Sequence, residues 1–66
     1  MNLLVNGTPR DVPQGSTLEG LVNETAASRR GVAVAVNGEV VPKTRWSDTR
    51  LVESDRIEIL TAIGGG

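Results

Sequence analysis

The sequence predicts an α+β domain: a mixed sheet of about five strands with one helix packed across one face. Three observations point there. Two Asn-Gly dipeptides, Asn6-Gly7 and Asn37-Gly38, each follow a β-rich run. A single amphipathic stripe, Leu18, Leu21 and Val22, follows the cap-forming pair Ser16-Thr17. Alternation of apolar and polar residues returns near the end, around Ile57 and Ile59. Strand runs interrupted once by a helical segment imply a sheet with one covering helix, because an apolar face must be buried against another element.

The first strand is Asn2 to Val5, with Leu3 and Val5 on one face and Asn2 and Leu4 on the other. Asn6-Gly7 suits a type I′ turn, whose two central residues both need positive φ. Thr8 to Val12 returns as the partner strand. Pro9 and Pro13 cannot donate ladder hydrogen bonds, which assigns this strand to a sheet edge. After Pro13-Gln14-Gly15, the run Ser16-Thr17-Leu18-Glu19 reads as a capping box. The Ser16 hydroxyl would accept from the Glu19 amide, and the Glu19 carboxylate would reach back to Ser16. The helix is expected over about residues 17 to 26, ending within Thr25 to Ser28. It is too short to persist alone in water and must pack on the sheet.

Arg29-Arg30-Gly31 reads as a solvated loop. In Val32-Ala33-Val34-Ala35-Val36 the valines line one face and the alanines the other, a contrast in bulk read as core against open face. Asn37-Gly38 turns the chain into Glu39-Val40-Val41, a short strand stopped by Pro42. Lys43 to Arg50 reads as an irregular connection around a partly buried Trp46, anchored by Leu51. Glu53-Ser54-Asp55 turns into the last strand, Arg56 to Ile63, with Ile57 and Ile59 buried. The first and last strands lie side by side at the centre of the sheet, in parallel.

Composition narrows the function. The chain has 66 residues, enough for one domain, taken as residues 1–63 with a flexible glycine tail at 64–66. There is no Cys and no His. A thiol nucleophile, a zinc knuckle and the commonest general base are therefore missing. Seven basic and eight acidic residues give a net charge of −1, with Trp46 as the single aromatic. That balance supplies neither the basic footprint nor the stacking rings of a nucleic-acid binder. Apolar runs are far shorter than the roughly 20 residues of a membrane span. Nothing reads as a signal peptide, so a cytoplasmic protein is expected.

No side-chain constellation supports an autonomous enzyme, and no catalytic or metal-binding residues are assigned. Glu53 and Asp55 read as a polar turn, Ser16 and Thr17 as caps. What remains is Gly64-Gly65-Gly66. A glycine end can be an inert, frayed terminus. It can equally thread a channel too narrow for any side chain, reach about 10 Å beyond the folded body, and present a carboxylate for activation.

The chain resembles the ubiquitin-like β-grasp fold, and within it the ThiS family of thiamine-pathway sulfur carriers. The residues carrying the resemblance are Val5-Asn6-Gly7, Ser16-Thr17-Leu18, Gly31 through Asn37, Val40-Val41-Pro42, Trp46, Leu51, Asp55 through Leu60, and Gly65-Gly66. Two residues depart from the family pattern. Ser54 stands where a glycine is common, and Gly64 where a larger residue usually precedes the final pair.

The resemblance implies a carrier, not a catalyst. A ThiF-type, ubiquitin-activating-like adenylating enzyme would use ATP to activate the Gly66 carboxylate. A sulfur donor such as a cysteine desulfurase would then supply a persulfide sulfur, giving a thiocarboxylate. A ThiG-type thiazole synthase would consume it. No cofactor would be bound by the chain itself, Gly65 would adjoin the modified residue, and the free protein would be a monomer. Three alternatives stay open: the small subunit of molybdopterin synthase, a ubiquitin-like lysine modifier, and a non-catalytic β-grasp interaction module.

Alternation also locates a docking surface. With Leu3, Val5, Ile57, Ile59 and the valine face turned inward, Leu60, Ala62, Leu4, Ala33 and Ala35 fall on the open sheet face. An exposed apolar patch on a small domain is a candidate partner site.

Overall fold

The computed structural model describes residues 1–25 and 31–61. In chain order its elements are β1 (Asn2–Val5), β2 (Thr8–Asp11), α1 (Leu18–Thr25), β3 (Val32–Val36), β4 (Glu39–Val41), a 3-10 helix (Lys43–Asp48) and β5 (Arg56–Thr61). The strands form one sheet in the order β2-β1-β5-β3-β4. β5 is central, parallel to β1 and antiparallel to β3. The topology is the expected one, with the proline-bearing β2 at an edge. The expected Arg29-Arg30 loop, any helix beyond Thr25 and the end of the last strand at Ile63 lie outside the described residues.

Both Asn-Gly turns have positive φ at both positions: 50° and 83° at Asn6 and Gly7, 51° and 87° at Asn37 and Gly38. This backbone twist matches the twist of the flanking strands, which is why these dipeptides close two-residue hairpins.

The helix cap falls one residue later than expected. Thr17 Oγ1 accepts from the Gly20 amide at 3.2 Å, while Ser16 Oγ donates to the Pro13 carbonyl at 2.7 Å. Ser16 is held elsewhere because its carbonyl accepts from the Leu51 amide at 3.0 Å, and Leu18 N–H donates to the Thr49 carbonyl at 2.8 Å. The segment entering the helix is thereby stitched to the segment leaving the 3-10 helix.

The core is Leu3, Val12, Leu18, Leu21, Val22, Val34, Trp46, Leu51 and Ile57. Leu18, Leu21 and Val22 are the buried stripe of α1. The connection read as irregular is an ordered 3-10 helix, and Trp46 within it is fully buried, at 1% exposure. Its indole N–H donates to the Val41 carbonyl at 2.8 Å, so the one polar atom of the ring is satisfied inside. A plain loop around Trp46 would leave that partner to chance. The 3-10 turn and β4 fix it.

Ile57 is buried as expected, at 1% exposure. Ile59 is only half-buried, packed against the rim of the core. The reason is positional: β1 pairs with β5 at Arg56 and Ile57, then turns away at Asn6. Ile59 therefore has a neighbouring strand on one side only, where it faces Val34.

The turn into β5 carries the departure noted at Ser54, whose φ is +72°. A non-glycine residue in this region costs roughly 1–2 kcal/mol. Buried Asp55 beside it is well paired: one carboxylate oxygen accepts from Asn37 Nδ2 and the other from the Val52 amide, both at 2.9 Å.

Two stability predictions follow from this packing. Ile57→Ala should cost about 2–5 kcal/mol, and Ile59→Ala distinctly less, in chemical denaturation read by Trp46 fluorescence, which should red-shift on unfolding. Ser54→Gly should raise stability by about 0.5–1 kcal/mol, because it relieves the left-handed strain and loses part of that gain to chain entropy. The same titration should show a higher midpoint.

Candidate functional site

The face of the sheet opposite the helix is uncovered, and the strand registers order it into rows. Leu60 lies opposite Ala33. Glu58 lies opposite Ala35, and Ala35 opposite Val40. Arg56 lies opposite Leu4. Leu60 is 68% exposed and Val40 75%. Together with Asn6, Ala33, Ala35 and Glu58 they line a shallow hollow of about 160 Å³.

The structure brings part of the expected patch together. Leu60, Ala33 and Ala35 come together. Leu4 is exposed on the same face, but it pairs with Arg56, four positions from Leu60 along β5 and about 13 Å away. Glu58 and Arg56 project between them. The face is thus apolar near the end of β5 and charged near its start. Ala62, Gly64, Gly65 and Gly66 lie outside the described residues. Among the described residues, no group of three or more Asp, Glu, His or Cys side chains could hold a metal ion.

Val40 was missed in the sequence reading, although a signal for it exists. A two-residue turn at Asn37-Gly38 places Val36 opposite Glu39, so counting back one pair sets Ala35 opposite Val40 on the open face. A second role of the turn asparagines was also missed. Asn6 Oδ1 accepts from the Ile59 amide at 2.8 Å, and its Nδ2 donates to the Ile59 carbonyl at 3.2 Å. Asn37 Oδ1 accepts from the Arg56 amide at 2.9 Å. Both turns grip β5, one near each end. The Asn6 contact spans 53 positions in sequence, and no local pattern announces it.

The sequence model of the ThiS family matches residues 3–66. The chain belongs to the ThiS family. It is 27% identical to the sulfur carrier protein ThiS of Escherichia coli, across the full length of both. It is 38% identical to a thiazole synthase of Paramagnetospirillum magneticum over all 66 residues, which make up 20% of that protein. A similar thiazole synthase of Magnetococcus marinus matches in the same way, so the chain spans about a fifth of the length of these relatives. The crystal structure of the thiamine biosynthesis protein ThiS from Geobacter metallireducens superposes with a TM-score of 0.85 at 33% identity, covering all of both chains. The fold is accordingly the ubiquitin-like β-grasp. No helix among the described residues is long and apolar enough to cross a membrane.

Because Leu60 is mostly in solvent, its side chain contributes little to this fold. Leu60→Glu should keep the native circular dichroism spectrum and change unfolding free energy by no more than about 0.5 kcal/mol.

Proposed function

We propose that this ThiS-family domain is a carrier of sulfur for thiazole formation in thiamine biosynthesis, loaded as a thiocarboxylate on Gly66. The observation that carries this reading is the family match, which runs through the β-grasp body to the terminal glycines. The similarity to a protein named sulfur carrier, and to thiazole synthases that include a matching region, supports the same assignment.

The chemistry needs nothing from the chain's side chains. A carboxylate is a poor acyl donor because its oxygen is a poor leaving group. A ThiF-type partner binds ATP, and the Gly66 carboxylate oxygen attacks its α-phosphorus, expelling pyrophosphate and leaving an acyl adenylate. Cations and any metal in the partner stabilise the phosphoryl charge. The terminal sulfur of a persulfide, carried by a desulfurase-type donor, then attacks the acyl carbon, and AMP leaves. A thiol cleaves the resulting sulfur–sulfur bond, taking the donor's sulfur and releasing the thiocarboxylate. A ThiG-type thiazole synthase accepts that sulfur and returns the carboxylate.

The chain supplies position and reach. From Thr61, residues 62–66 can span at most about 17 Å when extended, enough to enter a buried site while the body stays outside. Glycines at 64–66 allow a passage with no room for Cβ atoms. The apolar end of the open face, at Leu60, Ala33, Ala35 and Val40, is the docking surface for the adenylating enzyme. On this reading the free carrier is a cytoplasmic monomer and holds no cofactor.

Intact-protein mass spectrometry tests the loading step, after incubation with the cognate adenylating enzyme, ATP and a sulfur donor. The expected result is an oxygen-to-sulfur mass gain on Gly66. Deleting Gly65 and Gly66 should abolish the gain and leave stability nearly unchanged, and Gly65→Val should be almost as damaging. Leu60→Glu should stay folded and lose loading. An isopeptide to a lysine of another protein would replace this reading with that of a modifier. No ATP-dependent change with an active enzyme would reduce the chain to an interaction module.

A further inference from the structure

In a parallel ladder the strands exchange slanted, evenly spaced hydrogen bonds. Between β1 and β5 these include Leu4 N–H to the Asp55 carbonyl at 3.0 Å and Asn6 N–H to the Ile57 carbonyl at 2.8 Å. The next two bonds would need the carbonyl of residue 6 to accept from the Ile59 amide and the amide of residue 8 to meet the Ile59 carbonyl. The type I′ turn at Asn6-Gly7 carries both backbone groups away. The Asn6 side chain replaces them: Oδ1 takes the Ile59 amide at 2.8 Å and Nδ2 the Ile59 carbonyl at 3.2 Å. One primary amide thus stands in for two missing backbone groups.

This substitution sits two residues before the end of β5. On the β3 side, β5 is held as far as the pair Val32–Thr61. On the β1 side, the backbone register ends at Ile57. On that side the Asn6 amide extends the hold on β5 beyond the register, and Gly66 lies seven residues past Ile59 in sequence.

We propose that Asn6 is a positioning residue for the transfer of sulfur to the tail: its side-chain amide fixes the direction in which β5 delivers Gly66 to the partner's active site. This rests on the carrier reading above. Docking and aim are separable, because Leu60 stays paired with Ala33 on the β3 side whether or not Asn6 holds Ile59. Losing the amide therefore widens the directions open to the tail without removing the docking surface. Fewer docked complexes then place the carboxylate in line with the nucleotide, which lowers kcat more than it raises KM.

The turn chemistry provides a matched pair of variants. Asn6→Gly keeps a residue that adopts φ of 50° without strain and deletes the amide. Asn37→Gly does the same at the other turn, where the lost contacts are to Arg56 and Asp55, at the far end of β5 from the tail. Steady-state loading by the cognate adenylating enzyme is measured with each carrier as the varied substrate, alongside amide hydrogen exchange of the free proteins. For Asn6→Gly we expect kcat to fall on the order of tenfold with KM within about twofold, and faster exchange at Ile59 with Val34 still protected. Asn37→Gly should keep kcat within about twofold of the parent. A parent that loads normally while Asn6→Gly shows the same kcat overturns this proposal alone. So does an equal loss in the two variants, or an Ile59 amide that exchanges no faster. A parent that takes no modification overturns the carrier reading, and this proposal with it.

Discussion

The structure depends on one docking event: the last strand of the chain must enter the middle of the sheet. Both edges of β5 carry backbone groups that need partners once water is excluded. β1 supplies them on one side and β3 on the other. Until β5 arrives, the β1–β2 and β3–β4 hairpins have no strand between them, and an isolated hairpin is marginal in water. Ile57, the second residue of β5, is buried and pairs with Val5 on one side and Val36 on the other, so it joins the core to both hairpins. The closing contacts join residues near opposite ends of the chain, such as Leu4 with Asp55. Their loop-closure entropy is offset only when burial of the whole core accompanies them.

Central placement of β5 has a second consequence. A single helix and the Trp46-bearing 3-10 turn cover one face of the sheet, so the other stays in solvent. The alanines of β3 keep that face shallow, and Leu60 and Val40 stand above it. Because Leu60 belongs to β5, the surface proposed for docking lies on the last described strand, which ends at Thr61, five residues before Gly66 in sequence. The stiffness of β5 near Ile59 then bears on aim, while the pairing of Leu60 with Ala33 keeps the docking surface in place.

The polar side chains of the small domain are used for construction. Asn6, Asn37 and Asp55 all hold the backbone of β5 or of the turn that leads into it. Among the described residues, no buried side-chain nitrogen or oxygen lacks a partner. A core without disulfide or aromatic redundancy relies on such satisfied contacts, since each orphaned group would cost a sizeable part of the stability.

Much of this was legible from the sequence alone. Asn-Gly dipeptides specify their turns because few other pairs accept positive φ twice. The alternation at Leu3-Leu4-Val5, Val32 through Val36 and Ile57-Glu58-Ile59-Leu60 assigns faces, because side chains alternate along any strand. The terminal glycines and the lack of Cys and His motivate the proposal that the chemistry lies at the tail. Tertiary structure decided the rest. Whether Ser16 or Thr17 caps the helix depended on the Leu51 amide claiming the Ser16 segment. Whether Trp46 sat in a loose loop or a sealed 3-10 turn depended on the carbonyl of Val41. Leu4 separated from Leu60 because the β1–β5 register, not alternation, sets position along a strand. Asn6 could be read as a turn residue but not as the partner of Ile59. Local rules follow from the conformational limits of neighbouring residues, whereas these contacts join segments that meet only when the sheet closes.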